Sequence, residues 1–170
     1  VTKFLLSLHV LAAIVAVGPV TVAASMFPPS ARKALAEPGS ERAVAALRLL
    51  HRICRVYGGV GIAVPVLGFA TAMSMGVLND AWLIVSMLLT ALAAMVLLAL
   101  VLPRQEEILA GLGGTATGSG GTGATAVDTG ATAVDARATA RLAMFTGMFN
   151  LLWATVTILM IVRPGSTTGA

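Results

Sequence analysis

Hydrophobic positions in this chain gather into four long blocks, instead of recurring on one face of a water-soluble helix. Lys3 and Arg32 enclose 28 residues without formal charge, Arg55 and Asp80 enclose 24, Asp80 and Arg104 enclose 23, and Arg141 and Arg163 enclose 21. An α-helix rises about 1.5 Å per residue and a bilayer's hydrocarbon core is about 30 Å thick, so roughly 20 residues suffice to cross it. The pattern predicts an all-α membrane protein, a four-transmembrane-helix bundle with spans at about 4–27, 56–75, 81–102 and 142–162.

Punctuation between and within the blocks refines this outline. Pro19 predicts a kink in the first span, and Pro28-Pro29 predict its end, since proline lacks the backbone donor and clashes with the preceding turn. Ser40 suits an N-cap, with Glu41 placed at the positive helix end. From about residue 40 to 55 the periodicity predicts an amphipathic helix approaching the second span. Val44, Leu47, Leu50 and Cys54 share one face of it, and Arg48, Arg52 and Arg55 form a basic stripe expected to meet lipid headgroups or a partner. In the second span Gly58, Gly61 and Gly68 are spaced to form one contact stripe where helix backbones approach closely, with a bend at Pro65.

The third span is rich in Leu and Ala, which predicts the most lipid-exposed helix of the four, and Trp82 suits the interface. Residues 111–139 consist almost wholly of Gly, Ala, Thr, Ser and Asp and repeat Gly-Ala-Thr-Ala-Val-Asp at 123–128 and 130–135. That composition buries too little apolar area to offset the entropy of ordering and predicts a disordered linker. In the fourth span Asn150 is expected to face another helix and hydrogen-bond there, because an unpaired amide in hydrocarbon is costly.

Charge adds a direction. The chain is 58% hydrophobic and only 11% charged, well short of the roughly 25% a soluble domain carries. Arg32, Lys33, Arg42, Arg48, Arg52, Arg55, Arg104, Arg137 and Arg141 fall in the two long connections, whereas the opposite side has only Lys3 and Arg163. Nine against two predicts both long connections in the cytoplasm and both termini outside. The same bookkeeping favours an uncleaved first helix, although Val22-Ala23-Ala24 before Ser25 looks like a signal-peptidase site: removing it would export the arginine-rich connection. The net charge of +4 accompanies no motif for base readout, so lipid headgroups, not nucleic acid, are the expected anionic partners.

The inventory of chemistry is short. Glu37, Glu41, Asp80, Glu106, Glu107, Asp128 and Asp135 all lie in connections or at span ends. Buried carboxylates, the usual mark of ion-coupled transport, are therefore missing from the spans, which disfavours a small permease. No phosphate-binding loop, HExxH or Ser-His-Asp set is present, and no catalytic residue is assigned. Cys54 is the single cysteine, excluding an intrachain disulfide; between Arg52 and Arg55 it is either a reactive thiol or a small apolar residue. His9 is placed within the first span and His51 at the far end of the second, too distant to share one haem iron. His9 alone is the candidate cofactor-binding residue, as an ionisable group inside the membrane.

The run Lys3-Phe4-Leu5-Leu6-Ser7-Leu8-His9-Val10-Leu11-Ala12-Ala13, with Gly18 beyond it, resembles the first helix of copper-resistance CopD-like proteins and of the membrane protoporphyrinogen oxidase family. That resemblance implies a metal or tetrapyrrole at His9. Over the first 110 residues, the Lys-Phe-Leu-Leu-Ser-Leu-His start, the arginine-rich first connection and the Gly/Pro-containing second helix look like the bacterial integral membrane proteins grouped as domain of unknown function 2269. This second resemblance implies four spans and no assigned activity.

Together these readings predict a multi-pass protein of the bacterial cytoplasmic membrane. The leading expectation is a non-enzymatic accessory or structural subunit without cofactor, in a membrane complex or homo-oligomer. The alternative is a haem-, tetrapyrrole- or metal-handling protein centred on His9.

Overall fold

The computed structural model describes residues 1–37, 39–117 and 128–165, with side chains described for all of these but 113–117 and 128–135. It is helical throughout: α1 (Thr2–Ala36), α2 (Glu41–Val60), α3 (Ala63–Met75), α4 (Ala81–Met95), a π-helical segment (Val96–Val101), α5 (Leu102–Thr117) and α6 (Asp128–Val162). Joined end to end these make four rods long and apolar enough to cross a membrane, Thr2–Ala36, Glu41–Met75, Ala81–Leu112 and Ala136–Val162. Thr2 Oγ1 donates to Ser74 O at 3.5 Å and the Arg163 guanidinium lies 5.6 Å from the Trp82 ring centroid. The start of α1, the end of α3, the start of α4 and the end of α6 therefore share one end of the bundle, here the terminal end. Successive rods run antiparallel.

Local sequence explains the joints. Pro65 has no N–H to give Gly61 O; Val64 N supplies a tighter bond to that carbonyl at 3.1 Å, and the rod is interrupted at Gly61–Ile62, between α2 and α3. Gly76 ends α3 in the left-handed conformation (φ 71°), with Val77 N donating back to Ala72 O at 3.3 Å. Pro103 cannot donate to Ala99 O, and immediately ahead of it the ladder widens to π spacing, Leu102 N bonding Leu97 O.

Several expectations require correction. Pro28-Pro29 do not end α1, which continues to Ala36. Proline's fixed φ is compatible with a helix, and burial of Phe27, Pro28, Ala31 and Ala34 keeps the extension in place against α2. α2 itself runs without a break from Glu41 to Val60, carrying the approach helix into the second span. Of the linker predicted at 111–139, residues 111–117 and 128–139 are helical and 118–127 lie outside the described residues. The third rod is not the most lipid-exposed: 28% of its most apolar stretch is buried, as in the first rod, against 17% in the second and fourth. Its small residues allow close approach, as at the fully buried Ser86 and Ala93.

Packing divides the bundle along its length. The main core joins Ala24, Phe27 and Ala31 of α1 to Leu47 and Cys54 of α2, Leu97 and Val101 of the π segment, and Leu142 and Phe149 of α6. All lie in the half away from the terminal end. In the terminal half α3 packs mainly on α1 and α4 on α6, and a small second core of Ala72, Trp82 and Leu83 ties α3 to α4, so two helix pairs face each other there.

Candidate functional site: a cleft between two helix pairs

The terminal half holds a half-open cleft of ≈ 940 Å³ between α1 and α3 on one side and α4 and α6 on the other. Its lining runs from Leu6 to Gly18 on α1 and from Trp153 on α6 to Arg163 just past its end. At about 1.5 Å per residue that is about 15–18 Å, close to the depth of one leaflet of a roughly 30 Å hydrocarbon core. Size and apolar walls with few polar groups match a small-molecule site.

Polar capacity inside the cleft can be counted. The hydroxyls of Thr71, Thr90 and Thr157 donate to the carbonyls of Leu67, Ser86 and Trp153 at 2.7, 2.7 and 2.9 Å, each within its own helix. His9 Nδ1 lies 2.9 Å from Val64 O across the α1–α3 contact. A carbonyl only accepts, so Nδ1 carries the proton and the neutral ring leaves Nε2 as an acceptor. Nε2 has no hydrogen-bond partner among the described residues. This is how ligating imidazoles are generally held, with one nitrogen tied to a carbonyl and the other left open.

Gly68 makes this placement of His9 feasible. A Cβ there would stand 2.9 Å from His9 Cε1 and 3.3 Å from Nδ1, so only glycine admits the ring so close to α3. Gly58 makes a milder close approach: a Cβ there would meet Leu97 Cδ2 at 3.3 Å, tight but relieved by a small shift of the leucine. At Gly61 the three atoms nearest to a Cβ belong to Gly58 and Tyr57 of its own chain segment, and the residue stands at the helix break.

Asn150 and Arg48, Arg52 and Arg55 lie away from the cleft. Asn150 Nδ2 donates to Ser25 Oγ at 3.0 Å, bridging α6 to α1, while its Oδ1 and the Thr146 hydroxyl one turn earlier are buried without partners among the described residues. The three arginines are exposed on α2 and form no ion pair among the described residues.

Far from the cleft, a polar clamp joins α2 to α5. His51 Nδ1 donates to Gln105 Oε1 at 3.0 Å, Gln105 Nε2 donates to Cys54 Sγ at 3.7 Å, and His51 Nε2 approaches Glu106 Oε1 at 3.5 Å. Cys54 is fully buried in this clamp, which shields the thiol and argues against the reactive reading. Sequence reading missed Gln105. The signal was its position four residues after Val101 and eight after Leu97, one buried face continued by a polar residue. Gln105→Ala is expected to destabilise the fold by about 1–3 kcal/mol, because His51 Nδ1 then lies buried without its acceptor. Thermal unfolding of the purified variant measures this, and an unchanged midpoint would mean that water replaces the amide.

His9 and His51 belong to opposite halves and cannot bind one metal, and the described residues include no group of three or more His, Cys, Asp or Glu arranged to hold a metal ion. Comparison with known proteins finds no matching family model, curated relative or solved structure.

Proposed function

We propose that this chain is a non-enzymatic subunit of the bacterial cytoplasmic membrane that holds a lipophilic small molecule in the cleft. The observation that carries the reading is the cleft itself: ≈ 940 Å³ of apolar space at one end of an otherwise packed bundle, with one open imidazole nitrogen in its wall. The orientation proposed is the one the basic residues favour, with both long connections in the cytoplasm and the terminal end, with its cleft, in the outer leaflet. The exposed Arg48, Arg52 and Arg55 then lie where anionic headgroups of the inner leaflet can meet them. The membrane complex or homo-oligomer expected from the sequence belongs to this proposal as well.

Mass spectrometry of small molecules extracted from the protein purified out of its native membranes tests it. The wild type is expected to carry one compound in near-stoichiometric amount, and Ala13→Phe or Ala91→Phe, which fill opposite walls, to lose it while remaining folded. Equal recovery of ordinary lipid from all three proteins would remove the reading.

A second reading, a tetrapyrrole bound through iron, is favoured by one specific observation. His9 Nδ1–H is tied to Val64 O and Nε2 has no hydrogen-bond partner among the described residues, the arrangement an axial ligand needs. Under that reading the purified protein has a Soret band that His9→Ala abolishes. A colourless wild type reconstituted in the presence of haem would exclude it.

A further inference from the structure

The cleft has a chemically distinct mouth at the terminal end. Arg163 lines it and lies with its guanidinium 5.6 Å from the centroid of the Trp82 ring, while the indole Nε1 donates to Asp80 Oδ2 at 3.0 Å. Arg163 is also the one non-glycine residue with positive φ (46°) among the described residues. That conformation costs an L-residue roughly 1–2 kcal/mol, and it ends α6 just before Pro164, at the mouth. Asp80 is the nearby carboxylate; its Oδ2 accepts from the indole, and it makes no ion pair with Arg163. Among the described residues the only two ion pairs are His51–Glu106 and Arg104–Glu107, so the Arg163 cation has no acidic partner.

A cation without an acidic partner among the described residues, at the mouth of an apolar slot about as long as one leaflet is deep, is complementary to an anionic amphiphile. The geometry points to a single-chain lipid acid as the occupant of the cleft: an acyl chain along the slot and a carboxylate or phosphate head on Arg163. This inference rests on the ligand-holding reading above and adds the class of ligand. Three features of the site support it. Arg presents a planar fork that takes two acid oxygens side by side, and the Trp82 face holds that plane in place. The threonine hydroxyls are already satisfied within their helices, so the walls ask for no polar groups along the chain. The slot's length of about 15–18 Å suits a chain that reaches the bilayer midplane from the headgroup region.

The chain's two tryptophans, Trp82 and Trp153, both line the cleft and provide the readout. Parinaric acid, a conjugated fatty acid that accepts energy from tryptophan, is titrated into the full-length protein in a neutral detergent. Saturable transfer at one acid per chain is expected. Parinaric acid methyl ester and Arg163→Gln with the free acid should each bind about tenfold more weakly, one ratio for loss of the same charge-assisted contact. Arg163→Lys should recover part of the affinity, and Ala91→Phe should abolish binding of both probes. If acid and ester bind the wild type equally, or Arg163→Gln is without effect, the lipid-acid assignment is wrong although the cleft still holds apolar ligands. If neither probe saturates, the ligand-holding reading fails with it.

Discussion

Phe27→Ala is expected to remove about 3–5 kcal/mol of stability, the largest loss from any single side-chain truncation in this bundle. Phe27 is fully buried where α1 meets the core shared with α2 and α6. In a membrane the unfolded helices meet lipid as apolar as the core, so the loss is one of packing contacts, and a cavity forfeits them outright. Phe27 also directly precedes Pro28-Pro29, where the helix ladder is weakest and depends on its neighbours. Phe4→Ala is the control: Phe4 is 70% exposed, and its change should stay within about 0.5 kcal/mol. Cys54, the single cysteine and fully buried, reports on unfolding. A thiol-reactive fluorophore added during heating should label Phe27→Ala at a clearly lower temperature than wild type or Phe4→Ala. Coincident curves for all three would mean that this junction carries little of the stability.

Gly68→Ala should be the second large effect, although it adds only one methyl group. The new Cβ would stand 2.9 Å from the His9 ring, closer than carbon atoms tolerate, so either the ring turns out and breaks its bond to Val64 O or α3 separates from α1. Overpacking of this kind costs about 1–3 kcal/mol, and loss of the buried hydrogen bond adds to it. The cause can be isolated with His9→Ala. If the clash is with the imidazole, Gly68→Ala in the His9→Ala background should be nearly neutral, a coupling of about 0.5–3 kcal/mol in a double-mutant cycle. Additive costs would place the effect of Gly68 elsewhere, in backbone entropy or in lipid packing.

The helical rods were legible in the sequence because hydrocarbon imposes a simple rule: a stretch with no charge and sufficient length must satisfy its backbone as a helix. Their joints were less so. Pro65 and Gly76 act locally and leave a direct signature, but Pro28-Pro29 does not break α1, since the contacts that hold the continuation come from α2, distant in sequence. Composition was a poor guide for the linker flanks, where helices already nucleated on either side extend to Thr117 and back to Asp128.

Of the site, His9 stood out as an ionisable residue in an apolar run, and Gly68 as a glycine in a helix. Their meeting could not be read, because it depends on which faces of α1 and α3 turn toward each other. The cleft had no sequence signature at all. It arises where α1/α3 and α4/α6 part, a property of four helices together, and its lining residues look like any lipid-facing Ala, Val or Met. Arg163 was legible only as a topological marker at the end of a span; its place over Trp82 comes from the turn that ends α6.

Every functional statement above requires the polypeptide to cross the bilayer four times with the terminal end, and therefore the mouth of the cleft, facing outward. Single cysteines in a Cys54→Ala background measure this directly, at Glu37 and Ala110 in the arginine-bearing connections and at Asn79 and Gly165 at the terminal end. In intact cells a membrane-impermeant maleimide should label positions 79 and 165 at once, and positions 37 and 110 only after the membrane is opened. Labelling of position 37 or 110 in intact cells, or protection of 79 beside a labelled 165, would contradict the account.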